Sequence, residues 1–339
     1  MTATPAPRFD HLVAMTDDVG TFEHARFIAP RPEHGYCTDD MARVLVVTAR
    51  EPMPSPAVSR LTELSLQFLA DAQCVDGDYR NRRSQTGRWE DRPTVEDCWG
   101  RAIWGLGTAA ARAHADPVRR SATTQFERAA RLRSPSPRAT AYAVLGAAEI
   151  LAVRPGHRLA LDLIADAAGP MVARPEDSRW PWPQARLSYA NAVLPEAMIA
   201  AATVLDRPEL LRHGLSLLSW LVDRQTLDGH LSVTPVGGAG PGDTGPRFDQ
   251  QPIEVAALAE ACARASLVDD APRWTDTVAA AVAWFLGDND SHQVMWNPGT
   301  GGGLDGLHED GANQNQGAES TLALLSTLQH GRRLVMAAG

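Results

Sequence analysis

The sequence contains no lysine, so all 32 of its basic residues are arginine. Without lysine the chain cannot form a lysine Schiff base, and it cannot build a Walker-type phosphate loop, which needs a lysine for the nucleotide phosphates. The formal net charge is −9. Because binding to a phosphate backbone requires a basic surface, this charge argues against nucleic acid as a partner.

Cysteines and long apolar runs are also scarce. The four cysteines, at positions 37, 74, 98 and 262, are far apart and form no C-x-x-C motif, which argues against a zinc site. We therefore expect reduced thiols, no bound metal and no cofactor. No segment reaches the roughly 18 consecutive apolar residues of a membrane span, and the first residues contain no signal-peptide run. We expect a cytoplasmic protein with no membrane partner.

One pattern recurs along the chain about six times. A short polar or acidic cluster precedes a segment made almost wholly of alanine, leucine, valine and glycine, which predicts a helix buried on all sides. Repetition on this scale is typical of an architecture in which each unit contributes one wall to a shared core. The predicted buried helices are residues 41–49, 101–111, 143–152, 197–205, 255–265 and 320–328.

A second set of segments alternates with the first. Its apolar residues are spaced by three and four positions with charged residues between them, which predicts helices with one solvent-exposed face. These segments are residues 61–73, 122–132, 158–172, 208–225 and 273–286. Alternating buried and half-exposed helices predict an all-α, single-domain (α/α)6 barrel over residues 1–339, with an inner ring of helices inside an outer ring.

The inner helices of such a barrel run parallel, so the polar clusters that precede them should surround one funnel. Acids and amides bind sugar hydroxyls, and aromatic side chains stack on sugar rings. We therefore expect an oligosaccharide or polysaccharide substrate; the sequence leaves the oligomeric state open. The candidate substrate-binding residues are His34, Tyr36, Asp39, Glu96, Trp99, Arg101, Trp182, Tyr189, Phe248, Asp249, Gln250, Gln251, Trp296, Asn315, Gln316 and Glu319.

Acidic residues at the helix starts are the candidates for catalysis. Asp39 precedes Arg43 by four residues, and Asp97 precedes Arg101 by four, so both pairs predict ion pairs within a helix. Asp40 has no equivalent in the second unit and no assigned helix partner. We therefore select Asp40 as one catalytic carboxyl. Asp97 is the next candidate for a catalytic role.

Glu254 is the candidate for the second catalytic carboxyl. Pro252 should open its helix and place Glu254 at the third position, where glutamate also serves as a cap. Glycoside hydrolysis requires one carboxyl that protonates the leaving oxygen and another that activates water or attacks the sugar. Because enzymes of this barrel class commonly invert configuration, we expect the two carboxyls to be roughly 6.5–9.5 Å apart.

Three stretches of the sequence resemble a bacterial family of (α/α)-barrel glycoside hydrolases. They are residues 15–18 with 23–25, residues 34–40 with 42–43, and residues 315–321. The resemblance spans both ends of the chain. It implies an intracellular, endo-acting α-mannosidase that cuts α-1,4-linked methylmannose chains of the mycobacterial type, with weakly polar aromatic subsites for O-methyl groups. Met41 departs from the family pattern, in which asparagine commonly follows the paired acids.

Three other functions remain open. A sugar epimerase of the same barrel shape would need two facing histidines, for which His230 and His292 are the candidates. A terpene-type cyclase would need a D-x-D-D motif, and here the run Cys37-Thr-Asp-Asp40 lacks its first aspartate. The third alternative is a glycan-binding protein without catalytic activity.

Overall fold

Helices form nearly all of the regular structure in the computed structural model, which describes residues 4–171 and 179–338. In chain order they are α1 (Asp10–Ala14), α2 (Thr38–Ala49), α3 (Pro56–Ala72), α4 (Asp97–Arg112), α5 (Asp116–Ala129), α6 (Pro137–Val153), α7 (Arg158–Met171), α8 (Val193–Leu205), α9 (Pro208–Arg224), α10 (Pro252–Ala265), α11 (Pro272–Phe285) and α12 (Ala318–Ala338). A short 3-10 turn covers Pro32–His34.

The even-numbered helices form a closed inner ring. Each packs against the next, and α12 packs against α2 to complete the circle. The helices α3, α5, α7, α9 and α11 lie outside this ring, each against the inner helix that precedes it. The short helix α1 contacts α12 and α3 and takes the sixth outer position. The described residues thus form an (α/α)6 barrel, which confirms the predicted fold class.

The composition of the inner helices explains how closely they pack. Between α4 and α6, a Cβ atom added at Gly107 or at Gly146 would overlap backbone atoms of the other helix. Only glycine permits this approach. The inner helices are apolar, yet none of the described helices combines the length and hydropathy needed to cross a bilayer.

Serine and proline mark several of the helix starts. Ser55 and Ser136 accept a hydrogen bond from the third residue of α3 and α6, respectively, and each is followed by proline at the first helical position. Proline also opens α9, α10 and α11. Proline is favoured there because its missing N–H would have no partner in the first turn.

The predicted segments fall on the observed helices, although several boundaries differ. The helix α6 begins at Pro137 rather than at residue 143, and α12 continues to Ala338. The predicted outer segment 158–172 corresponds to α7, and its last residue, Val172, lies outside the described residues.

Short strands occur only in the loops of the described chain. They form five antiparallel pairs, each of two strands. The pairs are β1 (Ala25–Arg26) with β2 (Ala29–Pro30), β3 (Tyr36–Cys37) with β4 (Arg82–Arg83), β5 (Thr226–Leu227) with β6 (His230–Leu231), β7 (Trp296–Asn297) with β8 (Gly302–Gly303), and β9 (Gly306–His308) with β10 (Gly311–Asn313). These pairs stabilise the loops that surround the barrel opening.

Candidate functional site

A polar cleft opens where the N-terminal ends of α2, α4, α10 and α12 meet. Its cavity volume is about 320 Å³, at the lower end of the range of small-molecule sites. Carboxyl groups outnumber guanidinium groups among its charged side chains. The cleft is lined by Glu23, His24, Cys37, Asp39, Asp40, Arg43, Arg101, Asp249, Gln251, Asp305, Asn313, Gly317, Glu319 and Ser320.

Arg43 connects two carboxyl groups on one side of the cleft. Its Nη1 is 2.6 Å from Oδ1 of Asp40, and its Nη2 is 2.7 Å from Oε2 of Glu319. Asp40 is buried, and its second oxygen accepts a hydrogen bond of 3.1 Å from the thiol of Cys37. Burial raises the pKa of Asp40 to about 6, although Arg43 opposes the shift. The Glu319 side chain is 41% exposed, so it can reach a substrate or a water molecule.

Arg101 holds a second pair of acids. Its guanidinium is 3.2 Å from Oδ1 of Asp39 and 3.8 Å from Oδ2 of Asp97. Asp39 also accepts a hydrogen bond of 3.0 Å from the amide of Asn81. The hydroxyl of Tyr189 donates to Asp97 across 2.7 Å. This network fixes polar groups of α2 and α4 in positions that suit hydrogen bonds to hydroxyl groups.

Asp249 and Asp305 differ from the other acids of the cleft because, among the described residues, neither has an arginine within ion-pair distance. Burial raises the pKa of Asp249, the nearby charge of Asp305 raises it further, and His308 opposes the shift. Its Oδ1 is buried and has no hydrogen-bond partner within the described chain. Burial also raises the pKa of Asp305, whose Oδ1 accepts a hydrogen bond of 2.7 Å from the backbone of Gly317. These two carboxyls therefore hold a proton to a higher pH than ordinary aspartates.

Glu23, Cys37 and Asp40 are the one group of possible metal ligands in the described part of the chain. One ligand atom from each lies within 4.8 Å of the others. However, Glu23 forms an ion pair with Arg82, and Asp40 forms one with Arg43. A cation at this position would have to compete with both guanidinium groups.

Six of the predicted site residues line the cleft. They are Asp39, Asp40, Arg101, Asp249, Gln251 and Glu319. Asp97 contacts the lining residue Arg101, and Tyr189 in turn contacts Asp97, so both lie at the border of the cleft. The exposed ring of His34 packs edge-on against the lining residue His24, with ring centroids 4.9 Å apart.

Glu254 is not among the residues that line the cleft. Its carboxylate is buried and accepts hydrogen bonds from the backbone of Ala190, from the backbone of Asn191 at 3.3 Å and from the Asn191 amide at 2.8 Å. Burial raises the pKa of Glu254 to about 7, while these donors oppose the shift. Glu254, on α10, therefore holds the turn before α8 in place and does not face the cleft.

Five predicted substrate-binding residues are instead buried in the structure and absent from the cleft lining. Tyr36 donates its hydroxyl hydrogen to Asp17 at 2.6 Å, and the Trp99 indole donates to the carbonyl of Ala129 at 3.2 Å. Aromatic residues beside an acidic cluster in sequence can face the core as readily as the opening. The five are Tyr36, Trp99, Trp182, Gln250 and Gln316.

Four further predicted residues lie outside the cleft lining. Phe248 and Trp296 are partly buried against the core, and exposed Glu96 is the residue before α4. Asn315 accepts a hydrogen bond of 2.9 Å from the backbone of Phe27.

The predicted ion pair between Asp39 and Arg43 is not formed. Arg43 pairs with Asp40 on its own helix and with Glu319 on α12, while Asp39 pairs with Arg101 on the neighbouring α4. Asp40 therefore does have a helix partner, contrary to the sequence-based expectation. The predicted pair of Asp97 with Arg101 is present at 3.8 Å.

Several residues of the cleft were not selected as site residues from the sequence. Glu23, His24 and Asp305 lie in loops, where no helical periodicity indicates which way a side chain faces. Glu23 and His24 occur in one of the stretches that carry the family resemblance, and that was the available signal. Asp305 follows the glycine run at residues 301–303, which allows the loop to turn towards the opening.

Comparison with known proteins finds matches by structure and none by sequence. No family model matches the chain, and no curated protein sequence matches it. Among solved structures, cellobiose 2-epimerase from Bacillus thermoamylovorans superposes with a TM-score of 0.73 at 10% identity, covering 96% of each chain. An alpha-amylase from Clostridium perfringens superposes with a TM-score of 0.61 at 10% identity, covering 96% of this chain and 99% of its own.

A glycoside hydrolase family 9 endoglucanase also superposes, with a TM-score of 0.57 at 11% identity, covering 91% of this chain and 73% of its own. The shared feature is the fold. At such low identity these matches support the (α/α)6-barrel class and carry no assignment of activity.

Proposed function

We propose that this protein is a glycoside hydrolase. The observation that carries the proposal is the coexistence of two kinds of carboxyl group in one cleft. Asp249 has a raised pKa and no arginine partner among the described residues, whereas Glu319 is paired with Arg43. Glycoside hydrolysis requires such a difference, because one carboxyl must donate a proton and the other must be ionised.

In the proposed reaction, Asp249 donates its proton to the glycosidic oxygen as the bond from that oxygen to the anomeric carbon breaks. Glu319 accepts a proton from a water molecule, whose oxygen forms the new bond to the same carbon. The result is two shorter sugar chains with inverted configuration at the new reducing end. Arg43 orients Glu319 through its Nη2, and Asp40 in turn orients Arg43 through Nη1.

The remaining polar groups of the cleft suit hydroxyl binding. Asp39 and Arg101 form a fixed pair, and Gln251 and Asn313 add amide groups to the lining. Tyr189 is 43% exposed at the border and presents an aromatic ring. Together these groups offer hydrogen bonds and a stacking surface to a pyranose ring.

For the substrate we propose an α-mannan-type chain, cut internally at α-1,4 linkages between methylated mannose units. This choice rests on the resemblance in residues 15–18 with 23–25, 34–40 with 42–43, and 315–321. Its support from the structure is that residues 23, 24, 37, 39, 40, 43, 317, 319 and 320 of these stretches, or beside them, line the same cleft.

A sugar epimerase is the second candidate, because cellobiose 2-epimerase and D-mannose isomerase are among the structures that superpose on this chain. Epimerisation needs groups that remove a proton from carbon and return it. His24 is the one histidine among the described lining residues of the cleft. His230 and His292 are not among them, and the Nε2 of His230 pairs with Asp290 at 2.9 Å. The excess of carboxyls over histidines favours hydrolysis.

The deciding experiment incubates the purified protein with α-mannosides, α-glucosides and methylated mannans in D2O and follows the products by NMR. Hydrolysis with inversion is expected. Deuterium on a sugar carbon without chain cleavage would establish the epimerase, and intact oligosaccharide that stays bound would indicate a glycan-binding protein. Cleavage with retention would contradict the inverting scheme.

Four variants assign the carboxyls in the same assay. Asp249→Asn and Glu319→Gln should each lower kcat for cleavage of these glycans by about 10²–10⁴-fold. Asp40→Asn should impair it through Arg43, and Glu254→Gln should leave the chemistry intact if the fold is maintained. Glu209→Gln, an exposed acid at the start of the outer helix α9, is the matched control.

A further inference from the structure

Phe27 is an exposed aromatic residue at the tip of the β1–β2 hairpin. Its exposed fraction is 58%, and that of its neighbour Ile28 is 51%. Side chains of this size and polarity are normally buried, so their joint exposure at a single turn marks an apolar tip.

The backbone at Phe27 adopts a left-handed conformation, with φ of 53°. This region is unfavourable for a bulky side chain and persists only where the surroundings hold it. The Phe27 N–H donates to Oδ1 of Asn315 at 2.9 Å, and the Phe27 carbonyl accepts from the backbone of Gln316 at 2.9 Å. The tip is thus fastened to the amide-rich segment before α12.

These contacts place the tip at the rim of the cleft. Glu23 and His24, which precede β1, line the cleft, and the carbonyl of Glu23 accepts a hydrogen bond of 3.0 Å from the backbone of Ala318, next to Glu319. Phe27 itself is not part of the lining. It is therefore held next to the segment that leads into Glu319, outside the lining of the cleft.

We infer that Phe27 is the stacking platform for a sugar unit outside the bond that is cleaved. This inference rests on the proposed hydrolase function and specifies its substrate as a chain that extends beyond the cleft. Pyranose rings present C–H groups on their faces, and an aromatic ring held at the rim can cover one such face. In this inference the contact at Phe27 binds substrate and transition state equally, and such uniform binding lowers KM without changing kcat.

The test compares Phe27→Ala with the wild type on a ladder of oligosaccharides of increasing length. For the longest chains KM should rise between about twofold and tenfold with kcat unchanged, and for the shortest chain that is cleaved neither constant should change. Phe27→Tyr should behave as the wild type. Met53→Ala, an exposed apolar residue in the loop after the C-terminal end of α2, should have no effect at any length.

A loss that is equal at every chain length, or no change at all, would overturn the inference. Calorimetric titration with the same oligosaccharides measures binding independently of cleavage, so it tests the stacking platform and the hydrolase proposal separately. If the wild type binds long chains more tightly than Phe27→Ala does but cleaves none, the hydrolase proposal fails and the platform stands. If the wild type cleaves and the variant shows no length dependence, the platform fails and the hydrolase proposal stands.

Discussion

Arg43 and Glu319 form an ion pair of 2.7 Å between residues 276 positions apart in the chain. The contact joins the first inner helix to the last at the floor of the cleft. The same guanidinium neutralises Asp40, which is buried on α2. One side chain thus holds two acids from the two helices at which the ring closes.

Replacement of Arg43 by methionine should destabilise the protein by about 3–5 kcal/mol, because it leaves the buried charge of Asp40 without compensation. Urea unfolding at pH 7.5 measures the effect. Arg60→Met is the control, since Arg60 and Asp18 form a largely exposed pair whose loss should cost less than about 1 kcal/mol. Similar losses in both variants would show that the buried pair has no special role.

The protonation of Glu254 should appear in the pH dependence of stability. The folded state holds this proton up to about pH 7, whereas the ordinary pKa is near 4.5. Between these values the folded state binds more protons than the unfolded state, so the free energy of unfolding falls as pH rises. The Glu254→Gln variant has no carboxyl group at this position, so it serves as the reference that does not titrate.

The free energy of unfolding of the wild type, minus that of Glu254→Gln, should therefore decrease by about 3 kcal/mol between pH 4.5 and 7.5. Urea titrations across this range provide the measurement. A difference that stays constant or increases with pH would mean that the Glu254 carboxyl is ionised in the fold.

Asp249, as the proposed proton donor, should set the alkaline limb of the pH–rate profile. Because its pKa is raised, kcat/KM should begin to fall at a pH above the ordinary range of aspartate. Asp249→Asn should lower kcat on natural glycans by about 10²–10⁴-fold and remove this limb. An aryl glycoside, whose leaving group needs little protonation, should lose much less activity. Equal losses on both substrates would argue against proton donation by Asp249.

The close approach of α4 and α6 should make Gly107 intolerant of a side chain. Gly107→Ala places a Cβ against the backbone of Gly146, so we expect the free energy of unfolding to fall by about 1–3 kcal/mol. Gly156→Ala, in the exposed loop before α7, meets open space and should change the free energy of unfolding by less than about 0.5 kcal/mol. Thermal unfolding of the two variants compares them directly, and a neutral Gly107→Ala would show that the helices can separate without cost.

The barrel itself could be predicted from the sequence because the burial of a helix is visible in the composition of a short segment. Segments rich in alanine and leucine, such as residues 197–205 and 255–265, have no wet face and correspond to inner helices α8 and α10. Segments with regularly spaced arginine and aspartate correspond to outer helices. The alternation of the two kinds is visible without any long-range information.

The candidate site could be predicted only in part. The acidic clusters at the starts of α2 and α12 do line the cleft, because helix N-termini in a parallel ring share one end. The sequence did not show that Glu254 would turn to the Ala190–Asn191 backbone while Asp249, five residues earlier, would face the opening. That difference depends on the loop before α10 and on its pairing with Leu307.

The sequence alone determined which segments are helical and which helices are buried, because periodicity and composition act over a few neighbouring residues. The tertiary structure decided the partners of the charged groups. Spacing within α2 favoured a pair between Asp39 and Arg43. Instead, packing of α2 against α4 brought Arg101 to Asp39, and closure of the ring brought Glu319 to Arg43. In a closed barrel the first and last helices are neighbours, and no local pattern in the chain encodes the contacts between them.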